Sequence, residues 1–123
     1  LVVFTDGEDL NSRASIAVAE RRLEASDAVL YPIGQGRAPR LASLKTILER
    51  LAQKSGGRAF FGDSVDKLDA VFAEILEELS NQYLLGYVPH DLARDGRWRT
   101  LRVEVPGKDV RVRARQGYRA VAR

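Results

Sequence analysis

A chain of 123 residues with 45% hydrophobic and 30% charged side chains has the length and balance of one modest globular domain. It contains no Cys, which excludes a disulfide scaffold, a thiolate metal site and a cysteine nucleophile; its apolar runs are too short for a transmembrane helix, and no signal peptide is visible. The formal charge of +3 conceals an asymmetry: residues 1–93 carry 10 basic and 14 acidic side chains, a net of −4, whereas residues 94–123 carry 10 basic and 3 acidic, a net of +7.

Leu1 to Phe4 is a continuous apolar run that stops at Thr5-Asp6-Gly7-Glu8-Asp9. The pattern predicts a strand buried on both faces, followed by a polar loop. The chain has no Met and starts inside this run, so we read it as a piece of a longer protein. A helix is expected from Ser12 or Ser15 to Ala25, with Ile16, Ala19 and Leu23 turned inward and Glu20, Arg21, Arg22 and Glu24 facing water. Ala28 to Gly34 is a second buried run, with Pro32 as an irregularity inside it. Residues 34–40 (GQGRAPR) read as a loop. Leu41, Leu44, Leu48 and Leu51 recur at spacings of three and four, the mark of a second amphipathic helix, and Gly56-Gly57 ends it. Arg58 to Phe61 is a short third strand. Ser64 is a candidate N-cap, with Asp66 and Asp69 in the first turns of a third helix carrying Leu68, Val71, Phe72, Ile75 and Leu79 on one face.

The alternation of strand and helix predicts a parallel sheet with helices packed on its faces over residues 1–81. Residues 82–123 change period. Tyr83 to Val88 reads as a strand. Leu101, Val103 and Val105 alternate with Arg102 and Glu104, and Val110, Val112 and Ala114 alternate with Arg111, Arg113 and Arg115. Pro106-Gly107-Lys108-Asp109 can turn the chain between these two arms. This part is expected to be an antiparallel β extension.

Ligands of open parallel sheets bind outside the carboxyl ends of the strands, where Asp6 is expected. A carboxylate there suits a hard cation, since Mg²⁺ prefers oxygen and often takes one or two protein carboxylates. The plainer reading is a solvated turn, for which Asp, Gly and Glu are ordinary residues. An EF-hand over Asp6, Glu8 and Asn11 fails on spacing, because the required Gly and distal Glu are not where that loop needs them.

Several stretches in order carry a resemblance. They are the apolar strand ending in Thr5-Asp6-Gly7-Glu8; Tyr31-Pro32-Ile33-Gly34; Leu51-Ala52 with Ser55-Gly56-Gly57-Arg58-Ala59-Phe60-Phe61; and Leu68-Asp69-Ala70-Val71-Phe72 through Gln82-Tyr83-Leu84-Leu85-Gly86-Tyr87. Asp95-Gly96-Arg97-Trp98-Arg99, Arg102-Val103-Glu104-Val105 and Arg113-Ala114-Arg115-Gln116-Gly117-Tyr118 complete the set. Together they resemble the von Willebrand factor type A (VWA) domain, in a bacterial VWA-related subfamily, from its fourth strand onward. The resemblance implies the C-terminal half of a doubly wound, mostly parallel, Rossmann-like α/β sheet. It also implies a protein-binding or adhesion module that holds its protein ligand through Mg²⁺ or Mn²⁺ at a metal-ion-dependent adhesion site, in an exported (periplasmic or extracellular) parent. Of that site's residues only the Asp of the third loop maps here, onto Asp6. The Asp-x-Ser-x-Ser loop is absent from this sequence, and Thr5 is not the family's metal-site Thr. In the family's strand order the first strand lies beside the fourth, so Leu1–Phe4 would present an apolar edge open to self-association in this chain.

An enzymatic alternative uses Asp6 with Glu8 or Asp9 in metal-dependent phosphoryl transfer or hydrolysis. His90, in Pro89-His90-Asp91, reads as a solvated loop residue, since nothing marks a nucleophile elbow. Gly34-Gln35-Gly36-Arg37 lacks the remaining residues of a phosphate-binding fingerprint and reads as a connection near the same rim. Arg111, Arg113 and Arg115, with Arg99 and Arg102, could dock nucleic acid; a solvated face that blunts an edge strand is the plainer reading.

Overall fold

A computed structural model describes residues 1–6, 13–35, 40–62, 67–90, 93–107 and 110–121, with only the backbone described at 40, 41 and 43. Three parallel strands form one sheet in the order β1-β2-β3: β1 (Val2–Thr5), β2 (Tyr31–Gln35) and β3 (Phe60–Gly62). Helix α1 (Ile16–Ala25) connects β1 to β2, α2 (Arg40–Ser55) connects β2 to β3, and α3 (Leu68–Ser80) follows β3. Farther along, β4 (Trp98–Thr100) and β5 (Gly117–Arg119) pair antiparallel. The chain is therefore a mixed α/β fold with a parallel sheet and a separate antiparallel pair.

The core forms where the central strand meets helices on either face. Tyr31 and Ile33 of β2 point one way and cluster with Phe60 and with Ile75 of α3. Gly34 points the other way, where an added Cβ would touch the Phe61 ring and Leu48 of α2. Of the stripe expected on α2, Leu48 is buried and Leu44 and Leu51 are half-buried; Ala52, outside the expected stripe, is buried as well.

Pro32 sits in the central strand without disrupting the ladder. Successive N–H groups of a strand point to alternate edges. Tyr31 N–H donates to Leu1 O on the β1 side at 2.8 Å, so position 32 faces β3. Pairing with β3 begins only at Ile33↔Phe60, and the missing donor has no acceptor to leave unsatisfied there.

Helix α2 ends in two linked bonds. Gly57 N–H donates to Ala52 O at 2.9 Å and Gly56 N–H to Gln53 O at 3.1 Å, with Gly56 at φ 84°. This is the Schellman arrangement, and the left-handed residue it needs is Gly for want of a Cβ clash. Ser55, almost fully buried, donates its hydroxyl to Ala52 O and accepts Leu30 N–H, which ties the helix end to the start of β2.

Several expectations are corrected. β1 is not buried on both faces: Leu1 is 67% and Phe4 50% exposed, and among the described residues β1 pairs as a strand with β2 alone. The inward stripe expected on α1 is met only at Leu23, which is half-buried; Ile16 and Ala19 are exposed, while Glu20 and Glu24, expected in water, are half-buried against basic side chains. Tyr83 to Val88 forms no strand; among the described residues no other backbone pairs with it. The antiparallel pair lies at Trp98–Thr100 and Gly117–Arg119, outside the predicted arms at 101–105 and 110–115. A further bond, Leu101 N–H to Gln116 O at 2.9 Å, extends this pair by one step, and beyond it neither arm is in a strand among the described residues. Ser64 and Asp66 lie outside the described residues; Asp69 sits in the first turn of α3.

Candidate functional site

The parallel ladder aligns the carboxyl ends of all three strands. Thr5 pairs with Gly34 and Gln35 pairs with Gly62, so Asp6, Gln35 and Gly62 end the three strands side by side. Asp6 follows β1 directly and is exposed to solvent. This is the rim where the alternation of strands and helices predicts ligand binding. Glu8, Asp9 and Asn11 of the same loop, and Gly36 and Arg37 of the loop after β2, lie outside the described residues. Among the described residues, no group of three or more Asp, Glu, His or Cys is close enough to enclose a metal ion. Asp6 alone therefore supplies one carboxylate and not a closed site.

A second constellation was hidden in the charge asymmetry. Arg113 pairs with Glu78 of α3 at 2.6 Å. Arg115 donates to Glu24 O at 2.9 Å and pairs with Asp27 at 3.2 Å. Arg119 pairs with Glu24 at 2.9 Å. Glu24 also meets Lys54 of α2 at 3.1 Å, and Glu20 meets Arg50 at 2.7 Å. These contacts link residues up to 95 positions apart, so no local motif announces them. They hold the segment from 113 to 119 against Glu78 of α3 and against Glu24 and Asp27 at the end of α1, where the expected strand at 110–115 does not form. The arginines at 113 and 115 are thus neither a solvated face nor an unopposed basic stripe.

Two titrating groups record this docking. Burial works to raise the Glu24 pKa, but hydrogen bonds and charge from Lys54 and Arg119 outweigh it and hold the carboxyl below its ordinary range. Burial, followed by the negative charge of Glu78, pushes the Tyr31 phenol above its ordinary value. A chain of contacts therefore runs from the central strand through Glu78 to Arg113.

Between the end of α2 and the docked segment lies a shallow groove of about 400 Å³, lined by Gln53, Arg58, Arg111, Arg113 and Gln116 among others. Arg58 is paired with Glu74 and stacks on the Phe60 ring at 4.3 Å, so part of its basic lining is already engaged. His90 is exposed, as expected of a loop residue. No helix is long and apolar enough to cross a membrane among the described residues.

Comparison with protein-family models, with curated proteins and with solved structures finds no match.

Proposed function

We propose that this chain is the C-terminal part of a VWA-type α/β domain. On this reading it is a non-enzymatic protein-binding module whose metal-ion-dependent adhesion site includes Asp6. The observation that carries the reading is the position of Asp6, immediately beyond an outer strand of a parallel sheet whose three carboxyl ends lie together. Two further features support it. Helices pack on both faces of the sheet, and among the described residues β1 pairs as a strand with β2 alone, with Leu1 and Phe4 exposed.

The donor chemistry fits one part of the metal site. A single exposed carboxylate suits Mg²⁺ or Mn²⁺, hard cations that accept one or two protein carboxylates and complete their shell with other oxygens. The remaining protein donors would come from residues upstream of Leu1, and an acidic side chain of the protein ligand would complete the coordination. Asp6 acts directly or through a bound water.

The test is calorimetric titration of the intact parent protein with Mg²⁺, compared with Asp6→Ala. The expected result is binding that weakens at least about tenfold in the variant, the scale of losing a group that holds a metal. If the two proteins titrate alike, Asp6 is not a ligand. Upstream sequence separates the enzymatic alternative: Asp-x-Ser-x-Ser after an apolar strand supports adhesion, whereas Asp-x-Asp favours phosphoryl transfer.

A further inference from the structure

The groove beside the end of α2 lies apart from the rim at Asp6. Gly57 and Arg58 of one wall precede β3, so the groove opens at the amino ends of the parallel strands, whereas Asp6 follows the carboxyl end of β1. The other wall is the segment from Arg111 to Ala114. The walls meet where an added Cβ on Gly56 would lie 3.0 Å from Arg115 N. Three arginines line the groove against one carboxylate, Glu49, which Lys45 faces at 3.9 Å. Two of these arginines are held by carboxylates of α3, Arg58 by Glu74 and Arg113 by Glu78. A guanidinium carries five N–H donors, so one such partner fixes its position and leaves donors for another acceptor. Arg111 is exposed and forms no ion pair among the described residues. Among those residues the backbone from 111 to 115 also makes no backbone hydrogen bond.

We infer that this groove receives an extended acidic peptide segment of a protein partner, with a Glu or Asp carboxylate on Arg111 and the peptide backbone along 111–114. Charge complementarity favours an anionic occupant, and the planar fork of Arg matches a carboxylate with two parallel hydrogen bonds. Shape favours a peptide over a small molecule. Sites for small ligands enclose most of their ligand, and a groove this shallow leaves one largely in water. An extended peptide instead draws affinity from main-chain hydrogen bonds to an unpaired backbone and selectivity from its side chains. Nucleic acid fits less well. Glu49 in the groove and Glu74 and Glu78 at its border repel a continuous run of phosphates, and no aromatic side chain lines the groove to stack on bases. Carboxylates spaced by neutral residues avoid both objections. This site stands or falls apart from the metal reading, since it shares no residue with the rim at Asp6.

The test uses the 123-residue chain. The probes are the capped peptide Ala-Glu-Ala-Glu-Ala, its Ala-Gln-Ala-Gln-Ala counterpart and oligothymidylate, each titrated while amide NMR shifts are followed. The acidic peptide is expected to bind with a Kd of about 1 mM or tighter and to weaken as salt rises. The amides of Arg58, Arg111, Val112 and Arg113 should move most, and the glutamine peptide should not bind. Arg111→Glu, at an exposed side chain, is expected to weaken binding at least about tenfold, the scale of one charge-assisted hydrogen bond, with the rest of the spectrum unchanged. Arg102→Glu makes the same charge change at an exposed arginine outside the groove and is expected to leave binding intact. Asp6→Ala should also leave it intact. Failure of the acidic peptide to bind, equal binding of the glutamine peptide, or shifts centred outside the groove would overturn the proposal. So would equal losses in Arg111→Glu and Arg102→Glu, or displacement of the acidic peptide by oligothymidylate.

Discussion

Gly57→Ala is expected to unfold the domain at urea concentrations where Gly86→Ala leaves it folded. A Cβ at position 57 would lie 2.0 Å from Leu30 O and 2.9 Å from its carbonyl carbon, both backbone atoms that no rotamer change can move aside. Neither side can yield cheaply. Leu30 N–H is held by Ser55 Oγ at 2.9 Å, one residue before the central strand, and Gly57 N–H makes the bond to Ala52 O that caps α2. Relief requires giving up either the cap or the strand entry. Ordinary overpacking costs about 1–3 kcal/mol. A backbone-to-backbone clash at a doubly fixed position belongs above that range, at about 4 kcal/mol, a large share of the ~5–15 kcal/mol that holds a typical domain. Gly86 has nothing within 4 Å of an added Cβ and serves as the control. A loss below about 1 kcal/mol at Gly57 would contradict the described packing of the α2–β3 turn on β2.

Glu24→Gln is expected to release the basic segment from the body, and acid is expected to do the same to the native chain. The Glu24 side chain is 8% exposed and contacts Lys54 and Arg119. Removing one partner of a fully buried pair costs roughly 3–5 kcal/mol. Arg119 is 44% exposed, so water screens part of the interaction, and about 1–2 kcal/mol is the expected loss. The sign with pH follows from the lowered pKa of Glu24. Its stabilisation is complete above the ordinary glutamate value of 4.5 and is lost as the pH falls below it, through the lower value of the folded state. Trp98, the single Trp of the chain, lies against Gly117 in the β4–β5 pair and reports the event by fluorescence. The native chain should show a Trp98 transition on acidification that moves to higher pH at 1 M salt, as screening weakens the exposed arms of the network. In Glu24→Gln the transition should be shallower and the segment already loosened at neutral pH. Identical acid and salt profiles in the two proteins would show that Glu24 does not fasten the segment.

The parts of the fold that were legible in the sequence are those governed by local pattern. Leu44, Leu48 and Leu51 announced α2, Gly56-Gly57 announced its end, and the alternation of apolar runs with helices announced the parallel sheet. Asp6 was placed at a strand end by the same logic. What escaped was set by contacts distant in sequence. The faces of α1 were misassigned because Glu20 and Glu24 take their partners from α2 and the C-terminal segment, and a hydrophobic stripe cannot foresee buried ion pairs. The period-two arms expected as strands over 101–105 and 110–115 are not strands. Which residues pair, however, was decided by Gly117, where an added Cβ would come within 2.6 Å of the Trp98 ring and 2.4 Å of Arg99 O, and by arginines drawn onto the body. Tyr83–Val88 shows the limit most plainly: strand propensity becomes a strand only where an edge exists to receive it. The opposition of a −4 body to a +7 end is the one global signal in line with this docking, although the sequence alone reads the tail arginines as a solvated face.

Mn²⁺-induced broadening of amide NMR signals in the intact parent protein tests the rim assignment most directly. Neighbouring strands lie about 4.8 Å apart, so an ion at Asp6 sits within roughly 10–15 Å of the ends of β2 and β3. The account predicts that Asp6, Gln35 and Gly62 broaden together at low Mn²⁺ and that Asp6→Ala abolishes the effect. Broadening centred on another part of the molecule, or unchanged in Asp6→Ala, would contradict it.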